Sequence, residues 1–130
     1  MEGIWDIDEK AKENYTGILD KNLLIFKLMI RQPAFVNDDF AFEIIEKTKK
    51  KKPHELLEKV KFEATTEGLC VQMLHNGSYD NEPESFRQME VFTTTQNLKR
   101  ACMTHREIYL SDARKVAADK LKTVLRFKVE

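Results

Sequence analysis

Cysteine is scarce: the 130 residues hold Cys70 and Cys102 and no Cys-x-x-Cys pair. Neither a zinc ribbon nor dithiol chemistry therefore has support, and the chain reads as a reduced, cytoplasmic protein. Cys70 sits in an apolar run and is read as a small buried hydrophobe. Excess charge of one sign is missing too, since 22 basic residues face 22 acidic ones. That balance disfavours a nucleic-acid partner, because phosphate binding needs a clustered positive surplus. Long hydrophobic runs are absent. The longest apolar stretch, Asn22 to Ile30, is interrupted by Lys27, too short to cross a bilayer. The acidic N-terminus does not look like a secretory leader, so no membrane partner is expected. Only three histidines occur, His54, His75 and His105, and their scatter gives no metal-ligand spacing. No metal and no cofactor are expected.

What is present suffices for one domain with a modest core. Residues 2 to 7 read as a short strand carrying Trp5, the lone tryptophan. Asp8 to Asp20 is charged and holds Gly17, which suits a loop or one frayed helical turn. Leu23 to Ile30 reads as a strand closed by Pro33. Asn37-Asp38-Asp39 is a helix start: Asn37 can cap, and the two acids suit the positive end of the dipole. Phe40, Ile44 and Ile45 form its apolar stripe. The lysines from Lys47 to Lys52 then stand at the favourable end, as a solvated terminus.

Pro53 can open a second short helix reaching Val60, packed down by Leu56, Leu57 and Val60. Phe62 to Ala64 and Gly68 to His75 follow as strands. The second is apolar on both sides and is expected to be central. His75 to Tyr79 is a turn leading into a helix over Asp80 to Phe92, anchored by Phe86, Met89, Val91 and Phe92. A short helix over Ala117 to Lys120 precedes a last strand, Lys122 to Val129, with Leu125, Phe127 and Val129 on one face. Helices and strands do not alternate strictly, which indicates an α+β fold with an antiparallel sheet and helices on one face.

The stretch Thr104 to Asp112 is the most informative. Its alternation sets His105, Glu107 and Tyr109 against Arg106, Ile108 and Leu110. The second set would anchor the strand to a core. An acid between an imidazole and a phenol leaves two readings open. Glu107 is either an ordinary exposed carboxylate or the floor of a hollow that meets positive charge.

Three segments together resemble the GyrI-like small-molecule-binding family. They are Leu28-Met29-Ile30-Arg31-Gln32-Pro33, Leu74 through Pro83 with its His75-Asn76-Gly77-Ser78-Tyr79 turn, and His105 through Ala117. Lys120 to Arg126 extends the match. The resemblance implies two strand-helix-strand-strand halves enclosing a cleft. The same fold serves as the drug-sensing domain of multidrug-responsive transcription activators, where a carboxylate among aromatic rings holds cations. Stand-alone relatives look like hydrolases that open the cyclopropane ring of DNA-alkylating natural products.

On that basis Glu107 takes the family's acidic strand position, Tyr79 its turn tyrosine and Trp5 an early aromatic position. The family's opening strand and helix are expected to be missing. Residues 1–60 would then form a partial first half and residues 61–130 a complete second half of a single domain. A bare sheet edge left in this way favours a homodimer.

In such a cleft Trp5, Met29, Met73, Tyr79, His105, Glu107 and Tyr109 would contact the ligand, with Glu107 and Tyr79 as catalytic residues of a hydrolase. Aromatic faces add cation–π attraction of roughly 0.5–2 kcal/mol each. Flexible Met29 and Met73 would let the site repack, although either could be core. Binding of amphipathic, often cationic, small molecules is ranked first and cyclopropane hydrolysis second. A protein-interaction role such as gyrase binding is suggested by the family name, and no residue here supports it.

Overall fold

The computed structural model describes residues 1–8, 12–13 and 21–130; most of the expected Asp8–Asp20 loop lies outside them. The chain divides into two compact units, Met1–Ile30 with Glu67–Glu130, and Arg31–Thr66. The first unit holds an open five-stranded antiparallel sheet. Its strands are β1 (Glu2–Ile7), β2 (Leu24–Met29), β3 (Cys70–Asn76), β4 (His105–Tyr109) and β5 (Lys122–Lys128), in the order β2-β1-β4-β5-β3. With helix α2 (Glu82–Thr95) between β3 and β4 in the chain, this is the α+β class that the residue pattern indicates.

The strand β5 shows why the sheet buries one face. Thr123, Leu125 and Phe127 alternate with Val124 and Arg126, and the first three are almost fully buried. Leu125, Phe127 and Val129 meet Val71 of β3 and Met89 of α2 in the core, with Met73, Phe86 and Leu98 packed against it. Full burial of a side chain such as Leu125 or Phe127 stabilises by about 1.5–3 kcal/mol. The inward stripe of α2 is Glu82, Ser85, Met89 and Thr93, a helical spacing. Val91 and Phe92, expected as anchors, lie on the exposed side instead. Pro83 sits in the first turn of α2, where its missing N–H costs nothing.

Two further expectations for this unit are corrected. The strand β3 is an edge, bonded to β5 alone among the described strands. Its Leu74 is half exposed, so apolarity on both sides did not mean a layer on both sides. On β4, the core-facing set is His105, Glu107 and Tyr109, because Glu107 pairs with Leu125. The opposite set carries Arg106, and Leu110 beyond the strand is exposed. There Arg106 bonds Glu2 and Glu67, and Arg126 bonds Glu67 and Gln72. Ion pairs and hydrogen bonds satisfy the charged groups of that face.

The second unit contains α1 (Asp38–Lys51), which begins as the sequence predicts: Asn37 Oδ1 accepts from the Phe40 N–H at 2.9 Å. Lys49 reaches Glu46 at 3.1 Å and Glu58 at 2.9 Å. Phe40 and Ile44 remain about half exposed. The second short helix is a 3-10 turn over Glu55–Lys59, capped by the His54 ring rather than opened by Pro53. Phe62 to Ala64 joins no strand ladder; three residues bounded by charge have too little to pair.

Candidate ligand-binding site

The core face of β4 carries the site. Because strand residues alternate, His105, Glu107 and Tyr109 project together, and the register sets Gly3 of β1 opposite Glu107 and Trp5 opposite His105. Gly3 makes room for Trp5: a Cβ there would lie 2.6 Å from the indole Nε1 and 3.0 Å from the Tyr109 hydroxyl oxygen. Without that Cβ, the Trp5 Nε1–H donates to the Tyr109 hydroxyl at 2.8 Å. The Tyr109 O–H in turn donates to Glu107. A second donor, His105 Nε2, stands 3.0 Å from Glu107 Oε1.

Rings close the surroundings. Tyr79, in the 3-10 turn Tyr79–Asn81, stands edge-on to Tyr109 with centroids 6.0 Å apart. Phe26 of β2 stacks at a tilt on Trp5 at 5.0 Å. Phe86 of α2 meets His105 edge-on at 4.7 Å. Such pairs add about 0.5–1.5 kcal/mol beyond area burial. Glu107 itself is only 7% exposed, so the reading of it as a freely solvated carboxylate is excluded. Tyr79 is 37% exposed and Phe26 56%, so these two rings form the solvent-facing side of the group.

A second acid, which sequence reasoning missed, completes the arrangement. Glu82, the first residue of α2, is buried to the same degree as Glu107 and hydrogen-bonds to it. Its Oε1 is buried and receives no donor from the described residues. Burial, then the Glu107 charge and hydrogen bond, then Asp80, push the Glu82 carboxyl up to about 8. At neutral pH it therefore keeps its proton and donates to Glu107. Burial, helped by the hydrogen bond to and charge of Glu107, also pushes the Tyr109 phenol up. Burial and the charges of Glu107, Glu82 and Asp112 raise Tyr79.

Of the residues expected to bind ligand, Trp5, Tyr79, His105, Glu107 and Tyr109 come together. Met73 shares their face but lies two strands from Glu107 and packs against the core. Met29 is misplaced by the expectation: it pairs with Glu2, which pairs with Ile108, so it occupies the opposite face. One residue of register separates it from the site side. Glu82 stood in the segment matched to the family, yet its spacing from Glu107 in sequence carries no sign of contact. A glycine two residues before the lone tryptophan was the one available hint of Trp5 lying flat over β1.

A hollow of about 690 Å³ opens elsewhere, beside the β3 edge and the start of α2, where Met73, His75, Asn81 and Ser85 line it. Its His75 ring is occupied, bonding Ser85 Oγ at 2.8 Å and the Ser78 carbonyl at 3.0 Å. The chemistry of paired acids and rings lies outside that hollow. Among the described residues no group of three or more His, Cys, Asp or Glu converges to hold a metal ion, and no helix is long and apolar enough to cross a membrane.

Comparison with known proteins gives the same direction. The chain is similar to the crystal structure of an uncharacterized conserved protein from Listeria innocua, at 33% identity and a TM-score of 0.83, over 99% of this chain and 62% of that one. It is similar to a hydrolase from Listeria innocua, at 32% identity and a TM-score of 0.83, over 99% of this chain and 61% of that one. It thus spans about three fifths of the length of these solved relatives. No curated protein matches it significantly. A family model for the GyrI-like small molecule binding domain matches residues 10–130, and the chain belongs to that family.

Proposed function

We propose that this domain binds amphipathic cationic small molecules against the Glu107 carboxylate, between the rings of Trp5, Tyr79 and Tyr109. The observation that carries this reading is a nearly buried acid walled by aromatic faces, without lysine or arginine paired to it among the described residues. A carboxylate taken from water needs a positive partner, and aromatic faces attract the same cation. Shape-tolerant contacts of this kind suit flat lipophilic ions better than ligands that need a fixed pattern of hydrogen bonds.

The test is a fluorescence titration on Trp5 with a flat aromatic ammonium ion and its neutral isostere. A saturable change with the cation and at least tenfold weaker binding of the neutral compound is expected. Glu107→Gln should remove that preference. Equal binding of the two compounds would overturn the reading.

A second reading, hydrolysis of a strained cyclopropane, is favoured by the relative described as a hydrolase and by the protonated acid beside Glu107. In it Glu107 takes a proton from water as general base. The water oxygen bonds a ring carbon, the strained C–C bond breaks, and its electrons pass to a conjugated oxygen. That oxygen takes a proton from Glu82 or Tyr79. Product analysis after incubation with a cyclopropane-bearing alkylator tests it: ring-opened product from the native protein and none from Glu107→Gln is the expected result. A cytoplasmic homodimer belongs to the same proposal, and sedimentation returning a monomer at micromolar concentration would remove the dimer from it.

A further inference from the structure

We propose that the Glu82–Glu107 pair adapts its charge to the ligand, keeping its shared proton when a singly charged cation docks and releasing it when a doubly charged one does. This deepens the cation-binding reading and rests on it, adding which ligand charges the site accepts and how.

The geometry sets the terms. Two acids from different elements, the first residue of α2 and the middle of β4, touch in a buried place. One Glu82 oxygen finds no donor. Two ionised carboxylates in contact repel each other, so one proton resides between them.

The groups around the pair do not supply a fixed positive charge. From β4 come His105 and Tyr109, both already bonded to Glu107. From the 3-10 turn come Tyr79 and Asp80, and Asp112 acts on Tyr79 from farther off. The strand β1 contributes Trp5, whose N–H is spent on Tyr109. On β3, His75 is committed to Ser85 and the Ser78 carbonyl. On α2 itself, Glu84 and Arg87 pair with each other in solvent. Among the described residues no lysine or arginine pairs with Glu82 or Glu107.

With its proton, the pair carries a single negative charge, which a monocation neutralises. A dication leaves one positive charge uncompensated where water is scarce, and uncompensated buried charge is costly. Loss of the proton to bulk water restores neutrality. The balance is complete: the protonated pair and a dication become the doubly ionised pair with its dication, plus one free proton. The Glu82 proton is thus a stored charge, exposed only when the ligand calls for it.

Calorimetric titration with two matched flat aromatic ammonium ligands, one singly and one doubly charged, tests this. Each is titrated at about pH 6.5 in two buffers of different ionisation enthalpy. The expected result is no proton release with the monocation and about one proton released per dication. The dication affinity should rise about tenfold per pH unit between about pH 5.5 and 7.5, while that of the monocation stays flat. Glu82→Gln should abolish both the proton release and the pH slope of dication binding. If that variant fails to fold, the native-protein titrations still decide. Binding of both ligands without release, or with equal release, overturns this inference alone. Binding of neither overturns it together with the cation-binding reading.

Discussion

The indole N–H of Trp5 and the hydroxyl of Tyr109 meet at 2.8 Å although 104 residues separate them. This bond ties β1 to β4 and aligns the phenol to donate onward to Glu107. Tyr109→Phe would leave the indole N–H without its acceptor and take from Glu107 one donor, with His105 Nε2 remaining. A loss of about 1–3 kcal/mol in urea unfolding is expected. Trp5 is the sole tryptophan, so a changed emission maximum in the folded state would report the freed indole directly. Unchanged emission would show that the bond does not hold the ring.

Gly3 is predicted to be intolerant of any side chain. Its added Cβ would stand 2.6 Å from Trp5 Nε1, and the indole would have to swing off the strand. Overpacking of this kind costs about 1–3 kcal/mol. Gly3→Ala should therefore lower the unfolding midpoint and weaken cation binding together. A variant with native stability and native binding would show that Trp5 has room to move.

Stability should fall as pH rises through the neutral range because of Glu82. Its folded value lies at about 8 against an ordinary 4.5, so between those values the folded state binds more protons than the unfolded one. The contribution is largest below about pH 4.5 and is lost as pH approaches 8. The slope is on the order of 1 kcal/mol per pH unit at most. Glu82→Gln should flatten it, gaining on the native protein from pH 5 to pH 8 in denaturant midpoints. Parallel curves would contradict the burial of an uncompensated acid.

Glu67 should act with the opposite sign. Burial alone would raise its carboxyl, but the hydrogen bond from Arg126 and the charges of Arg106 and Arg126 hold it below the usual range. Stability from this group is present above pH 4.5 and lost as pH falls through the lowered folded value. Glu67→Gln should cost about 1–2 kcal/mol at pH 7 and less in acid. Equal cost at pH 7 and pH 3 would remove the ionic share of the effect.

Much of the fold was legible because it rests on local chemistry. The Asn37 cap, the turn from His75 into a helix, the alternation of β5 and the alternation of β4 each depend on neighbours within a few residues. The alternation of β4 put His105, Glu107 and Tyr109 on one face before any partner was known. Which face would meet the core was not local. Arg106 and Ile108 looked like the anchored side, yet ion pairs to Glu2 and Glu67 satisfied Arg106 there, and the acid turned inward.

The family resemblance and the residue pattern together determined the class and most element types, and named Trp5, Tyr79, His105, Glu107 and Tyr109, which the structure brings together. Tertiary structure alone decided three things: that β3 is an edge, that Met29 faces away, and that Glu82 touches Glu107. Each depends on register between strands, or on the meeting of a helix start with a distant strand. No local propensity encodes such a relation, since shifting a strand by one residue keeps its pattern and reverses its faces.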